Sequence, residues 1–266
     1  MRGFLFLSLA LVLGGCANGY QQFYQAYPGA TPETIAKIRT AAPPANPRVE
    51  HVPGIDNSVY EGYAKLGYTP IGHSSFNAGQ RQPDENAVAQ GRAVGADLVI
   101  IANPRYTGTE TASIPITTPT TSTTYSSGTA TAYGPYGTVN AYGSGVAQTY
   151  GTQTNFVPVA IHRQDYGAVY FIKRHYVLGT IVRDLNNEER QALQTNKGVV
   201  VMTVVNDTPA FNADILTGDI VTELDGQVVT NAQGFSSYLG SHVGRTVALS
   251  ILRGNKQVEK SVQLLQ

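Results

Sequence analysis

The stretch from Lys197 to Thr230, KGVVVMTVVNDTPAFNADILTGDIVTELDGQVVT, decides the fold of the last third of this chain. Gly198 to Val205 is apolar and rich in β-branched residues, which predicts a buried strand. Pro209 stands early in a short predicted helix, where its missing N–H costs little. Asp225-Gly226 separates two strand-like runs and is a strong signal for a two-residue hairpin turn. The stretch therefore predicts a β-rich module with short helices.

The flanking sequence extends this module in both directions. Upstream, LGTIVRDLNNEERQAL (178–193) predicts a glycine-containing loop, a strand and a polar helical turn. Downstream, Thr230-Asn231-Ala232-Gln233 fits a capping box, and Phe235 with Leu239 gives an apolar pair one helical turn apart. ALSILRGNKQV (248–258) predicts a closing hairpin. In this order, the motifs of His175–Gln266 resemble a PDZ domain of the bacterial kind attached to the high-temperature-requirement serine proteases.

The resemblance implies a groove that holds the end of another chain. Successive backbone N–H groups in a loop bind a terminal carboxylate, and an extended peptide adds to the free edge of the next strand. We expect the loop to be Leu178, Gly179 and Thr180, the edge strand to begin with Ile181 and Val182, and the facing helix to contribute Phe235 and Leu239.

Two residues depart from the pattern that the resemblance implies. Thr180 stands where the family has an apolar residue that lines the terminal pocket, so this pocket is predicted to be more polar. Asp214 stands where the family has glycine after the short helix. Aspartate tolerates a left-handed backbone better than most residues, so we expect the fold to be retained.

The N-terminus, MRGFLFLSLALVLGGC, is predicted to be an export signal. Arg2 supplies a positive start, and the apolar run from Phe4 to Leu13 is too short to span a bilayer. Leu13-Gly14-Gly15-Cys16 resembles the lipobox of bacterial lipoproteins. The resemblance implies cleavage before Cys16, lipidation of its thiol and new amino group, and an anchor in the cell envelope. No aspartate follows Cys16, which favours the outer membrane, facing the periplasm.

Composition limits the classes of function. The net charge is +0, which argues against nucleic-acid binding because that requires a basic surface. Cys16 is the single cysteine, so no intramolecular disulfide is expected. With 266 residues and 42% hydrophobic content, the chain is long enough for two small domains with their own cores.

Between the signal and the PDZ-like module we expect two further regions. Residues 17–54 are rich in proline and glutamine, which predicts a tether or a wrapping arm with one helical turn. Residues 55–174 predict a small α+β domain that opens β-α-β. Its helix is expected at Glu85–Val94, followed by a buried strand at Asp97–Ala102 and a later strand at Tyr166–Lys173.

This domain carries a low-complexity insertion, residues 107–156, rich in threonine, serine, glycine and tyrosine. Threonine and tyrosine favour strands, which suggests a long hairpin with flanks at Thr107–Thr118 and Gly145–His162 and a glycine-rich tip. The alternative is a flexible, solvated loop, because such a composition seldom forms a core.

The sequence offers no recognisable catalytic or metal site. The five histidines, His51, His73, His162, His175 and His242, have no metal-binding spacing, and no Gly-x-Ser-x-Gly motif occurs. We therefore expect no enzyme activity, no metal and no cofactor.

These observations predict an α+β protein with four parts: a signal and lipobox (1–16), a tether (17–54), a β-α-β-β sheet domain (55–174) and a PDZ-like, partly open β-barrel with two helices (175–266). The leading hypothesis is a lipid-anchored adaptor or quality-control protein that binds protein C-termini or unfolded envelope proteins. The alternative is a structural envelope lipoprotein that uses the tyrosine- and threonine-rich loop as its interaction surface and leaves the groove empty.

Overall fold

The computed structural model describes residues 18–266, which have a mixed α/β architecture built on two six-stranded sheets. Cys16 and the signal segment lie outside the described residues. Two compact units are present: residues 18–105 with 165–266, and residues 106–164. The first unit contains both the N-terminal sheet domain and the PDZ-like module.

The elements up to the start of the PDZ-like module are α1 (Gly19–Gln22), β1 (Tyr24–Ala26), α2 (Pro32–Ile38), β2 (Arg48–Val52), α3 (Asn57–Lys65), β3 (Tyr68–Ala78), α4 (Asp84–Ala93), β4 (Leu98–Ala102), β5 (Arg105–Gly134) and β6 (Gly137–Lys173). Their sheet has the order β1-β3-β6-β4-β2, and β5 pairs with β6. The predicted β-α-β opening corresponds to β3, α4 and β4.

Strand β4 is at the core of this sheet because its sequence, LVIIA, is apolar on both faces. Leu98 and Ile100 pack with aromatic residues of α3 on one face. Val99 and Ile101 belong to a second buried cluster on the opposite face. Strand β2 runs parallel to β4, whereas β6 runs antiparallel to it.

The segment predicted as a tether packs into the domain, so the tether assignment of 17–54 is wrong for the described residues and the wrapping-arm alternative fits. Strand β1 pairs with β3 and β2 pairs with β4. Tyr20 is 1% exposed and contacts the Phe76 ring edge-on, with ring centroids 5.1 Å apart. The proline-rich composition predicted an extended, solvated segment. Its aromatic and β-branched side chains nevertheless bury enough apolar surface to hold the segment against the domain.

Residues 106–164 form an antiparallel ribbon. Strands β5 and β6 continue to Gly134 and Gly137, so only Pro135 and Tyr136 lie in the connecting turn. The glycine-rich tip is thus part of the strands in the structure. At about 3.4 Å per residue, the ribbon runs for roughly 90 Å. Its side chains are almost all exposed on both faces.

The PDZ-like module consists of β7 (Thr180–Asp184), α5 (Asn187–Leu193), β8 (Val199–Val204), α6 (Pro209–Asn212), β9 (Ile220–Leu224), β10 (Gln227–Val228), α7 (Ala232–Ser241), β11 (Thr246–Arg253) and β12 (Lys256–Gln263). The sheet order is β12-β11-β9-β8-β7, with β10 paired to β9. The sheet does not close into a barrel. It carries three short helices, so the prediction of two was wrong; α5 forms because Asn186 and Glu189 make a reciprocal capping box.

One buried ion pair fixes the turn before β9. Asp219 is 1% exposed, and both of its oxygens accept hydrogen bonds from Arg253 at 2.8 Å. Burial acts to raise the pKa of Asp219, but the bonds from Arg253 and the Leu216 amide outweigh it, so the pKa lies below its usual value. Asp214 has a φ of 57°, as expected for a residue at a glycine position.

Backbone hydrogen bonds join the two domains of the larger unit. The amide of His175 donates to Ile38 and that of Asn206 to Lys65, each at 2.8 Å. The wrapping arm therefore bonds to the start of the PDZ-like module, and α3 bonds to the segment between β8 and α6.

Candidate functional site

The loop before β7 is shaped by a glycine that no other residue could replace without movement. Gly179 has a φ of 94°, and a Cβ there would overlap the side chain of Thr208. Thr208 is itself fixed, because its hydroxyl donates to the Val205 carbonyl at 2.6 Å. The sequence thus places the loop against the N-terminus of α6 at van der Waals distance.

The carbonyl groups of this loop bond to the module. Ala210 N–H donates to Leu178 O and Val205 N–H donates to Gly179 O, each at 2.8 Å. Among residues 18–266, no acceptor is found for the N–H groups of Leu178 or Gly179. The loop therefore keeps free donors of the kind that bind an anion.

The strand that follows has one unpaired edge. Strand β7 pairs with β8 and is last in the sheet order. Thr180 lies opposite Val204, and the Val205 amide bonds to Gly179 just beyond this pair. Such a pair is of the non-hydrogen-bonded kind, so the N–H and C=O of Thr180 point away from β8, toward the free edge.

Helix α7 forms the opposite wall of a cleft of about 320 Å³. Asn231 caps the helix by accepting from Gly234 N at 2.7 Å, so the cap is one residue later than the predicted box of Thr230 with Gln233. Phe235 and Leu239 reach the module core and are 2% and 6% exposed. Their burial in the core therefore fixes the helix, and both residues also border the cleft.

All seven residues expected at the groove line this one cleft: Leu178, Gly179, Thr180, Ile181, Val182, Phe235 and Leu239. Sequence reasoning missed three α7 residues and four residues before the loop, namely Ala232, Ser236, Gly240, Arg174, His175, Tyr176 and Val177. The helical residues are one turn apart and beside the two that were found, so the i, i+4 spacing of α7 was a usable signal. Nothing in the local sequence marked Tyr176.

The floor of the cleft is partly polar. The Thr180 hydroxyl is buried and has no hydrogen-bond partner among the described residues. Ser236 faces the same cleft from α7. An unsatisfied buried hydroxyl costs free energy, so this position favours a ligand group or a water that can pair with it. The departure at Thr180 thus makes the pocket less apolar.

The loop end of the cleft is cationic. Arg174 and His175 line it together with Tyr176, and the same three residues border a larger cavity of about 750 Å³ beside the sheet domain. The Arg174 guanidinium lies over the Tyr176 ring, 5.1 Å from its centroid. No carboxylate pairs with Arg174 among residues 18–266. A carboxylate at the loop would therefore be attracted by a charge that is not yet neutralised.

Across residues 18–266, no group of three histidine, cysteine or acidic side chains is placed to hold a metal ion. Of the helices in that range, none combines the length and apolar character needed to cross a bilayer. His51 bonds to Asp84 at 2.9 Å on an exposed surface, without a neighbouring nucleophile.

Comparison with known proteins assigns the module. A family model described as "PDZ domain" matches residues 177–264. The periplasmic serine endoprotease DegP of Escherichia coli K12 is 30% identical over 92 residues, which are 34% of this chain and 19% of that protein. The serine protease Do-like HtrA of Lactobacillus helveticus is 37% identical over 68 residues, 25% of this chain and 16% of that protein. The chain thus spans less than a fifth of these relatives.

Two solved structures are also similar to part of this chain. The HtrA3 PDZ domain bound to a phage-derived ligand is 18% identical, with a TM-score of 0.30, covering 33% of this chain and 82% of that one. The HtrA-type protease AlgW with a decapeptide is 23% identical, with a TM-score of 0.28, covering 33% of this chain and 28% of that one.

Proposed function

We propose that this chain, whose residues 177–264 are a PDZ domain of the DegP and HtrA type, holds the C-termini or extended segments of other proteins by β-strand addition. It would act in the cell envelope as an adaptor or in protein quality control, without catalysis of its own. The observation that supports the proposal is the open edge of β7 beside α7, headed by the free amides of Leu178 and Gly179.

Three features of the cleft support a peptide as the ligand. It lies between the unpaired edge of β7 and helix α7, and the outward groups of Thr180 can make the first pair of main-chain hydrogen bonds with an added strand. The amide loop and Arg174 favour a carboxylate at one end. Relatives with this domain are described with a decapeptide and with a phage-derived ligand bound.

The proposal is tested with C-terminal peptides selected from a random library on the full chain. Amidation of the terminal carboxylate is expected to weaken binding at least tenfold, since it removes the charge that the loop amides and Arg174 attract. N-methylation along the peptide should weaken binding at alternate residues only, because one amide in two faces β7 in a ladder. Equal affinity of acid and amide would refute carboxylate capture, and a flat N-methyl profile would refute strand addition.

The envelope location rests on separate support. Curated relatives are named periplasmic endoproteases, and the N-terminal sequence ends in Leu13-Gly14-Gly15-Cys16. We infer that lipidated Cys16 anchors the protein, with the PDZ domain in the periplasm. Cells expressing Cys16→Ser are expected to lose incorporation of labelled palmitate into this protein and its recovery in the outer-membrane fraction; retention of both would exclude the anchor.

A further inference from the structure

The unit of residues 106–164 has a long main-chain edge that nothing in the described chain covers. Within this unit, β5 and β6 pair only with each other. An isolated two-stranded ribbon is marginally stable in water, and its outer edges present unpaired N–H and C=O groups. A ribbon of this length therefore needs a third strand beside it.

The register of the ribbon is uniform. The hydroxyls of Thr117 and Thr154 lie 3.0 Å apart, and Ser126 Oγ bonds to Gly145 O at 3.4 Å. Both pairs have the same offset from the two-residue turn at 135–136. Because the offset is constant, no bulge interrupts the pairing between these points and the turn.

The register shows which residues face outward. The pair flanking a two-residue turn exchanges main-chain hydrogen bonds, and bonded rows alternate from there. Even-numbered residues of β6 and odd-numbered residues of β5 thus direct their N–H groups to the outer edges. Pro115, Pro119 and Pro158 all occupy such outward positions, where a missing N–H leaves the ladder intact.

The residues at the outward positions divide the ribbon into a part near its base that is protected against strand addition and a distal part that is not. Near its base, the edges carry prolines and the ion pair of Arg163 with Glu110, at 3.1 Å. Natural proteins use both devices to prevent strand addition. Between Glu110 and His162 the sequence has no aspartate, glutamate, lysine, arginine or histidine. On β6, residues 137–157 also lack proline, whereas on β5 the proline-free run is limited to 120–134.

We propose that two copies of this chain associate through the β6 edge, residues 137–157, in an antiparallel two-fold pair that makes one four-stranded sheet. A second copy fits because both edges are uncharged and equal in length, so pairing opposes no like charges. The β5 edges remain outside, where Pro115 and Pro119 obstruct further strands. The two-fold pairing uses both β6 edges, and the proline-free residues 120–134 of β5 stay unpaired in this dimer.

The side chains agree with this arrangement. Tyr142 and Tyr150 on β6 lie on the same face as Tyr125 and Tyr133 on β5, because paired residues share a face of the sheet. Outward residues of the two β6 strands would lie opposite each other. The joined sheet therefore presents the tyrosines of both copies on one side and mostly glycine and alanine on the distal part of the other.

The test uses two proline variants in one row of the ribbon. Gln148 on β6 and Thr123 on β5 lie directly opposite each other, and both face outward. Neither Gln148→Pro nor Thr123→Pro removes a main-chain hydrogen bond within the ribbon, although Gln148→Pro removes the side-chain acceptor of the Tyr150 hydroxyl. Sedimentation velocity of the full chain in density-matched detergent measures the association, and Gln148→Lys provides a second β6 variant without a backbone change.

The expected result is a wild-type dimer, at least tenfold weaker association in Gln148→Pro and Gln148→Lys, and wild-type association in Thr123→Pro. Unfolding curves that coincide with those of the wild type show that the variants fold. A monomeric wild type, an undisturbed Gln148→Pro dimer, or equal loss in Thr123→Pro would each overturn the proposal. Because the peptide cleft is in the other unit, failure here leaves the peptide-binding proposal to its own test.

Discussion

At the scale of single residues, the cleft depends on a few positions where backbone geometry leaves no alternative. Gly179 combines a positive φ with close approach to Thr208, and Thr208 is held by its bond to Val205. The free amides of the loop exist because its carbonyls are turned toward the module. A side chain at this one position would therefore disturb both the turn and the donors.

Gly179→Ala is expected to destabilise the PDZ domain by about 2 kcal/mol or more, since backbone strain and the overlap with Thr208 add. Peptide affinity should fall at least tenfold because the loop must move. Thermal unfolding and titration with a library-selected peptide measure the two effects.

Gly218→Ala is the matched control. Gly218 also has a positive φ, 91°, but a Cβ there meets no atom within 4 Å, and it lies outside the cleft. Gly218→Ala should lower the free energy of unfolding by about 1 kcal/mol and leave peptide affinity unchanged. A similar loss of peptide affinity in Gly179→Ala and Gly218→Ala would show that the geometry of the Gly179 loop is not specifically required for binding.

At the scale of elements, the edge strand is held in place from outside the cleft. Arg183 of β7 donates to both carboxylate oxygens of Glu189 in α5, each at 2.6 Å. Glu189 also accepts from the Asn186 amide, which begins the helix. The bonds from Arg183 and then from Asn186 lower the pKa of Glu189 to about 2, against an opposing effect of burial. One carboxylate thus couples β7 to α5.

This coupling predicts a pH dependence. Because the folded-state pKa is lowered, Glu189 stabilises the fold fully above its unfolded pKa of about 4.5, and the contribution is lost as the pH falls toward 2. Glu189→Gln retains the capping box but not the charge, so it should lose about 1 kcal/mol or less at pH 7. The stability difference from the wild type, measured by urea unfolding, should vanish near pH 2.

Glu188→Gln serves as the control, since Glu188 makes no ion pair among the described residues. Its stability should follow that of the wild type across the same range. A difference for Glu189→Gln that persists unchanged at pH 2 would assign the effect to packing instead of charge.

At the scale of the molecule, the sheet domain and the PDZ domain form one unit, and the ribbon forms another. Main-chain bonds of His175 to Ile38 and of Asn206 to Lys65 join the first two. We therefore expect those two domains to unfold in a single transition.

Excision of the ribbon tests this division. Arg105 and Asp165 are joined by an ion pair of 3.0 Å, so an Asn-Gly turn in place of residues 106–164 closes the chain without strain. The unfolding midpoint and peptide affinity should match the wild type, whereas self-association should disappear. If the excised variant still bound peptide but no longer captured partners from cell extract, the ribbon would be the surface that binds partners. The adaptor hypothesis would then be wrong.

The sequence predicted the structure correctly where local conformational preferences and burial in the folded chain agree. The glycine loop, the Asp225-Gly226 turn and the capped helix α7 each follow from two to four residues whose preferences the tertiary structure does not oppose. The arm at 18–54 was harder, because proline and glutamine predict an extended, solvated chain. Its burial depends on Tyr20 meeting Phe76, a contact between distant residues that no local pattern reports.

By itself, the sequence indicated the strands of the PDZ domain and seven of the residues that line its cleft, because glycine geometry and side-chain period act within a few residues. Only the tertiary structure decided that the loop amides lack acceptors, that Arg174 and Tyr176 reach the cleft, and that the arm joins the sheet. Those outcomes depend on which distant groups come within hydrogen-bonding distance, and this is fixed only when the whole chain packs.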